Sequence, residues 1–321
     1  MLIDFLKKTK LRFEENVIPF FKMLFYNTFC KGWIIMFGHC DRRQLKYRIS
    51  ICLIFKNEAP FLKEWLDFHL TIGVDHFYLY NNNSEDNYKD VLAPYLAEGK
   101  VTLIDFPYQA AQMRAYKECF EKFRSESKWI AFLDADEFLC PKRETDINSW
   151  IKQFDKYPAV VVRWLMFGTG GIVEHDRNLG VIEQYKICHS LLHDYGKCFV
   201  NTKYDIAEYN WHTHHLTYMK YPILGRYMVI PAVNQFKHIL PINFPSKLMT
   251  CRKEEASIQI NHYYTKAWNL FKEKMNRTDV YYKKQYKTNI DKFYKVEDGC
   301  ISSDFSILRF LIRKKIYLND K

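Results

Sequence analysis

Between Arg48 and Asp136 the spacing of apolar and polar positions switches repeatedly between two periods, and the order of those switches defines a fold class. Ile49 to Phe55 is an apolar run broken only by Ser50, the pattern of a strand buried on both faces of a sheet. Pro60 then opens a helix whose inward positions Phe61, Leu62, Trp65, Leu66 and His69 recur at helical spacing until Gly73 stops it. His76 to Tyr80 reads as a second strand. The polar loop from Asn81 to Asp86 leads into a short helix that ends at Leu96 and is closed by Gly99, and Val101 to Phe106 is the third strand. Met113, Tyr116, Phe120 and Phe123 make a helical stripe ahead of the fourth strand, Trp129 to Leu133. Strands alternating with helices predict an α/β fold with a mostly parallel sheet and right-handed crossovers. In such sheets ligands bind beyond the carboxyl ends of the strands.

Past Pro141 the alternation weakens. Ala159 to Leu165 is a further strand, followed by the glycine-rich turn Phe167-Gly168-Thr169-Gly170-Gly171, and from Thr265 the chain reads as helix. No Pro/Ser-rich linker separates independent domains. The expected organisation is an N-terminal helical extension over 1–45, a catalytic-type domain over 46–277, and a basic C-terminal helical extension over 278–321.

Composition narrows the class. With 48% apolar residues in 321 positions the chain has ample material for a core, which excludes disorder as its main state. A net charge of +11 favours phosphate-bearing partners or an anionic membrane face. The nine cysteines are scattered with no Cys-x-x-Cys pair, so zinc ribbons and disulfide scaffolds are excluded and a reducing compartment fits best. The opening segment lacks a secretory pattern. Val17 to Phe37 is apolar but interrupted by Lys22, Asn27 and Lys31, which suits an interfacial helix better than a span of about 20 apolar residues. Near the other end, Phe305, Leu308, Phe310, Leu311 and Ile312 are interleaved with Arg313-Lys314-Lys315. That stretch either packs on the domain or rests on an anionic leaflet.

The sharpest chemical signal is Trp129-Ile-Ala-Phe-Leu-Asp134-Ala135-Asp136-Glu137, a hydrophobic strand running straight into three acids. In extended backbone, residues two apart point the same way, so Asp134 and Asp136 are expected to converge. Two such carboxylates repel by about 4 kcal/mol at an effective dielectric near 20, a cost that a hard divalent cation removes. His212, His214 and His215 form a second cluster, and His262 stands apart in Ile260-Asn-His262-Tyr. A period of two would put His212 and His214 on one face, as a zinc-like pair needing a third ligand.

Several motifs stand in one order: Ile51-Cys-Leu-Ile-Phe-Lys56-Asn57-Glu58, Tyr80-Asn-Asn-Asn-Ser84-Glu-Asp86, Gln112-x-x-x-Tyr116-x-x-Cys119 and Phe132-Leu-Asp134-Ala-Asp136-Glu137. Together they resemble the nucleotide-binding half of a GT-A (Rossmann-like) glycosyltransferase. Lys56-Asn-Glu-Ala-Pro-Phe-Leu-Lys-Glu-Trp65, Trp164-x-x-Phe167-Gly-Thr169 and His262-Tyr263 are similar to glycosyltransferase family 92 and its bacterial family 2-like relatives. The resemblance implies that Asn57, Glu58 and Asn82 line a nucleoside pocket, although Asn81 and Asn82 stand where the family 2 pattern has paired aspartates. It implies that Gln112 lies at the site rim, that Asp134 and Asp136 hold Mn2+ or Mg2+, and that His262 completes the cation shell, with His215 in reserve. Spacing leaves Arg114 solvated. An inverting displacement needs a base for the acceptor hydroxyl. Among Glu174, Asp176 and Glu183, the segment Val181-Ile-Glu183-Gln-Tyr185 favours Glu183. Glu137 would serve the cation's surroundings or a sugar hydroxyl, Trp164 would offer a sugar platform, and the glycine turn would admit substrate or act as a lid.

The implied reaction moves a hexosyl unit from a nucleotide sugar donor, a uridine one, to a glycan or lipid-linked glycan acceptor. The expected location is cytoplasmic, with peripheral attachment to the inner face of a membrane. Two rivals stand behind this reading. A metal-dependent hydrolase would use His212, His214 and His215. A nucleic-acid binder would use the positive charge, but the carboxylates at the strand ends repel phosphates, so no nucleic-acid partner is expected.

Overall fold

The computed structural model describes residues 18–208, 218–239, 251–276 and 289–319. Its strands are β1 (Tyr47–Phe55), β2 (His76–Asn81), β3 (Val101–Asp105), β4 (Ser127–Phe132), β5 (Glu137–Pro141), β6 (Ala159–Met166), β7 (Ile187–Cys188), β8 (Gly196–Asn201), β9 (Asp205–Glu208), β10 (Tyr218–Ile223), β11 (Arg226–Pro231), β12 (Ile258–His262) and β13 (Ser302–Ser303). Eight of them form one sheet in the order β3-β2-β1-β4-β8-β6-β12-β5. The first four run parallel, as the alternating pattern requires, and each is followed or preceded by a helix. This is a mixed α/β fold with a mostly parallel sheet.

The second half of the sheet departs from the sequence expectation. β8 runs antiparallel between β4 and β6, β12 lies parallel to β6, and β5 closes the edge antiparallel to β12. β5 starts at Glu137, one turn after β4, so the chain reverses at the acidic motif and crosses to the far edge. The helix Ala59–Thr71 packs over that edge. Trp65 is fully buried and its indole N–H donates to the Glu137 carbonyl at 2.8 Å, while the Leu139 amide donates to His69 Nε2 at 3.3 Å. Burial drives the His69 pKa down to about 3, so this imidazole is a neutral structural acceptor.

The helix Gln112–Phe123 buries Tyr116, Phe120 and Phe123, as its stripe predicts, whereas Met113 is only half-buried. Arg114 is exposed, its guanidinium 3.6 Å from the centre of the Tyr108 ring. Residues 289–319 are built into the domain. β13 pairs with β7, Lys142 bridges to Asp304 at 3.1 Å, and the ring of Phe310, buried, meets that of Phe68 at 5.9 Å. Phe310 of the last helix therefore packs inward, whereas Phe305 and Ile312 stay exposed. Seven of the nine cysteines are buried and all nine are free thiols.

Candidate active site

Parallel register brings the ends of four strands to one edge. Phe55 pairs with Asn81, Asn81 with Asp105, and the Leu133 amide donates to the Cys52 carbonyl. Asn57, Asn82 and Asp134 therefore share the carboxyl edge of the sheet. Asn57 takes a left-handed backbone (φ 54°), which asparagine tolerates better than most residues. Its amide donates to Ser84 Oγ and its side-chain oxygen accepts from the Glu85 amide, pinning the two loops together. Asn82 spends its side-chain N–H groups on the carbonyls of Phe106 and Tyr108, each at 2.8 Å. Asn81 donates to Tyr88 and Asp105 and accepts from the Ser84 amide. The two asparagines thus build the wall of the edge from inside. The amide of Ala59 is capped by Asp86 rather than by Glu58.

The acids do not continue the strand. β4 ends at Phe132, and the Glu137 amide donates to the Asp134 carbonyl at 3.1 Å, closing a turn. The two-apart rule for extended chain does not apply inside that turn, so each aspartate has its own surroundings. Asp134 is anchored by three donors: Gln112 Nε2 at 2.9 Å and Tyr116 OH at 3.2 Å on Oδ1, and Lys197 Nζ at 2.8 Å on Oδ2. Asp136 faces Lys274 Nζ at 3.0 Å and His262 Nε2 at 3.5 Å. The repulsion expected between the pair is thus met by two lysines that spacing did not bring to light.

Lys197 is wholly buried, 3.7 Å from the equally buried Glu137. Burial opposes its charge, yet Asp134 and Glu137 hold its pKa above the ordinary lysine value. Burial, together with the neighbouring Asp134 and Asp136, pushes the Glu137 carboxyl well above the usual range against the pull of Lys197. Glu137 Oε2 also accepts the Asp134 amide at 3.0 Å. Its place is under the turn, with no surface open to a substrate. Burial alone would raise the Asp136 carboxyl, but Lys274 and His262 overcome it and hold the pKa well below the ordinary value. Lys274 in turn is raised by Asp136, Tyr264 and Glu58 against its burial, which places Glu58 within electrostatic reach of this corner.

His262 sits at the end of β12 in register with Glu137 and Met166, its ring 4.7 Å from that of Trp164. Its Nδ1 is buried and has no hydrogen-bond partner among the described residues. Trp164 is itself buried and serves as the wall behind the imidazole. Glu183 is half-buried on the short helix Val181–Gln184, whose first amides are held by Glu64 at 2.7 and 3.0 Å. Lys266 bears on both Glu64 and Asp136, so the two neighbourhoods are linked by its charge. Glu174 and Asp176 are exposed. In the glycine turn, Gly170 and Gly171 have positive φ, and Glu297 from the C-terminal segment accepts from the amide and hydroxyl of Thr169 and from the Thr265 hydroxyl. His212, His214 and His215 lie outside the described residues.

A cation fits this corner on one condition. Asp136 Oδ1 and His262 Nε2 are spaced as neighbouring ligands of one ion would be, provided Lys274 leaves the other carboxylate oxygen. Asp134 is committed to its three donors. No three His, Cys, Asp or Glu side chains among the described residues converge as a ready-made metal cluster, so a cation held here would need further ligands from elsewhere.

Residues 47–296 match the model of glycosyltransferase family 92. The chain belongs to that family. A family 92 protein of Ricinus communis is 26% identical over 241 residues, which is 74% of this chain and 39% of that protein. A galactan beta-1,4-galactosyltransferase of Arabidopsis thaliana is 26% identical over 134 residues, 38% of this chain and 26% of its own. This family 92 chain spans less than half the length of these plant relatives. Among solved structures, a Mycobacterium tuberculosis glucosyl-3-phosphoglycerate synthase, captured with Mn2+, UDP and glucosyl-3-phosphoglycerate, is 14% identical with a TM-score of 0.30, covering 49% of this chain and 57% of that one. The S. aureus protein TarS (residues 1–349) is 11% identical with a TM-score of 0.34, covering 48% and 47%. Likenesses this weak settle nothing about the site.

Proposed function

We propose that this chain transfers a hexosyl unit from a uridine diphosphate sugar to a hydroxyl of a glycan, inverting the anomeric centre in one displacement. The observation that carries the reading is the acidic turn at the carboxyl edge of β4, with His262 3.5 Å from Asp136, in a chain of glycosyltransferase family 92. Relatives named galactan galactosyltransferases make UDP-galactose the first donor to try.

In this reading Asp136 and His262 would hold Mn2+ or Mg2+, which when bound supplies positive charge against the departing diphosphate. Lys197, Gln112 and Tyr116 fix Asp134 so that its carboxylate keeps one orientation at the rim. Glu137 holds the turn from below and is a positioning residue, in place of the base or sugar contact expected for it. Asn82 shapes the nucleoside edge through the loop after β3, while Asn57 and Glu58 stand at its β1 side. Glu183 takes the acceptor proton in this reading, being the half-buried carboxylate where Glu174 and Asp176 are exposed.

The test is a melting panel of nucleotide sugars with and without Mn2+, followed by transfer assays with the hits. A ligand at 100 times its Kd should stabilise the fold by about 2.7 kcal/mol. No shift with any uridine diphosphate, with or without cation, sinks the reading. Binding of a UDP-sugar with release of free sugar and no transfer to any glycan would favour a hydrolase.

A further inference from the structure

A helical segment near the amino-terminal end carries a continuous run of exposed aromatic side chains. Ile18–Phe37 is helical throughout, with a π-helical turn at Tyr26–Cys30. One side is anchored: Cys30 and Ile34 are buried, Cys30 meets Met228 of β11, and Asn27 exchanges two hydrogen bonds with the backbone of Ile239. The other side carries Phe21, Phe25 and Phe29 at 61, 45 and 40% exposure, then Met36 and Phe37 at 69 and 53%. The rings of Phe25 and Phe29 stack along it, and those of Trp33 and Phe37 meet at a tilt, 4.4 Å apart. Monomeric proteins seldom leave so continuous an aromatic face in water.

Charge says what covers it. No Asp or Glu occurs from Val17 to Cys40. Lys22 and Lys31 fall within the acid-free helical segment. A second copy of the same positively charged face would repel itself, whereas an anionic bilayer supplies both the counter-charge and an apolar layer for the rings. Among the described residues no helix is long and apolar enough to cross a membrane, so the segment would lie in the interface.

We propose that the helix Ile18–Phe37 docks this protein on an anionic lipid surface. The orientation follows from the chain path. After the helix, His39 and Asp41 accept from Lys203 and Lys128, at the amino end of β4. The acidic turn lies at the opposite end of that strand, about 20 Å away at 3.3 Å per residue. Docking therefore turns the catalytic edge away from the bilayer, towards acceptors that stand out from the surface.

The test is flotation of the full chain with phosphatidylcholine vesicles and with vesicles containing a third phosphatidylglycerol. Binding is expected only to the anionic vesicles and should weaken with salt. The triple variant F21S/F25S/F29S should bind at least tenfold more weakly, and K22E/K31E should lose the preference for anionic lipid. Both variants should keep the parent's melting temperature and its shift with UDP, which separates docking from folding and from the catalytic reading. No binding by the intact chain overturns the proposal. So does sedimentation showing a dimer that the triple variant dissolves, since a second copy would then own the face.

Discussion

Replacing Lys197 with methionine is the most direct probe of how the acidic turn is held. The ammonium is wholly buried, 2.8 Å from Asp134 Oδ2 and 3.7 Å from Glu137 Oε1. Removing one partner of a buried pair typically costs about 3–5 kcal/mol, because the remaining charge is left uncompensated. A loss of about 3 kcal/mol, the lower end of that range, is expected near pH 5. The sign of the pH dependence follows from linkage. A carboxyl whose folded pKa lies above its ordinary value of 4.5 binds a proton in the native state that the unfolded chain has released, so its contribution falls as pH rises through that window. Without Lys197 the Glu137 carboxyl is raised further, and the penalty should be larger at pH 8 than at pH 5. Urea unfolding followed by tryptophan fluorescence at both pH values measures it. The double variant K197M/E137Q should recover part of the loss and flatten the slope. A loss below about 1 kcal/mol at pH 8 would place the pair among weak surface bridges and refute the description of a buried clamp, as would an equal penalty with and without Glu137→Gln.

Asp136→Asn should abolish the Mn2+-dependent part of any UDP-induced melting shift. It also removes a carboxyl whose folded pKa is depressed, a contribution present above its ordinary value of 3.8 and lost as pH falls through the folded value. The stability gap between parent and variant should therefore close in acid, as urea titrations from pH 7 downwards would show. Glu183→Gln should lower kcat at least a hundredfold while leaving the UDP-induced melting shift unchanged; unaltered turnover would remove Glu183 as the base. Glu297→Ala frees the Thr169 and Thr265 hydroxyls and should cost about 2 kcal/mol in urea unfolding, the scale of hydrogen bonds to a charged group.

Which parts of this molecule can be read from the chain alone depends on how locally their causes lie. β1 to β4 and their helices are legible because each strand is an apolar run and each connection is short, so the pattern repeats without help from distant residues. β5, β8 and β12 are not, because their place comes from partners far away in sequence. β8 carries Lys197 in Gly196-Lys-Cys-Phe-Val-Asn201, and a lysine in a short strand ordinarily marks an edge. Only the register of β8 against β4 and β6 brings it level with the chain just past Phe132. A lone lysine beside the apolar run Cys198-Phe-Val200 is the available signal. Lys274 was legible only as a helical surface residue, since nothing local says that its ammonium ends 3.0 Å from Asp136. The Asp-Ala-Asp motif itself was plain, but its geometry depends on a turn that extended-strand spacing cannot describe.

Those two lysines also explain why the corner suits the proposed donor. Asp134 is matched by Lys197 and Asp136 by Lys274, so each aspartate of the turn already has a cation beside it before anything binds. A sugar diphosphate, the donor proposed above, carries about two negative charges that these paired groups do not balance, and a divalent cation, when bound, would supply that balance. Lys197 has no freedom to help, being enclosed on every side. The Lys274 side chain is 37% exposed at the end of its helix, so it alone can swing from Asp136 to a phosphate oxygen and open the carboxylate that His262 already faces. Lys274→Met should then weaken UDP binding yet leave Asp136 more accessible to Mn2+, opposite effects that a wholly structural lysine would not produce.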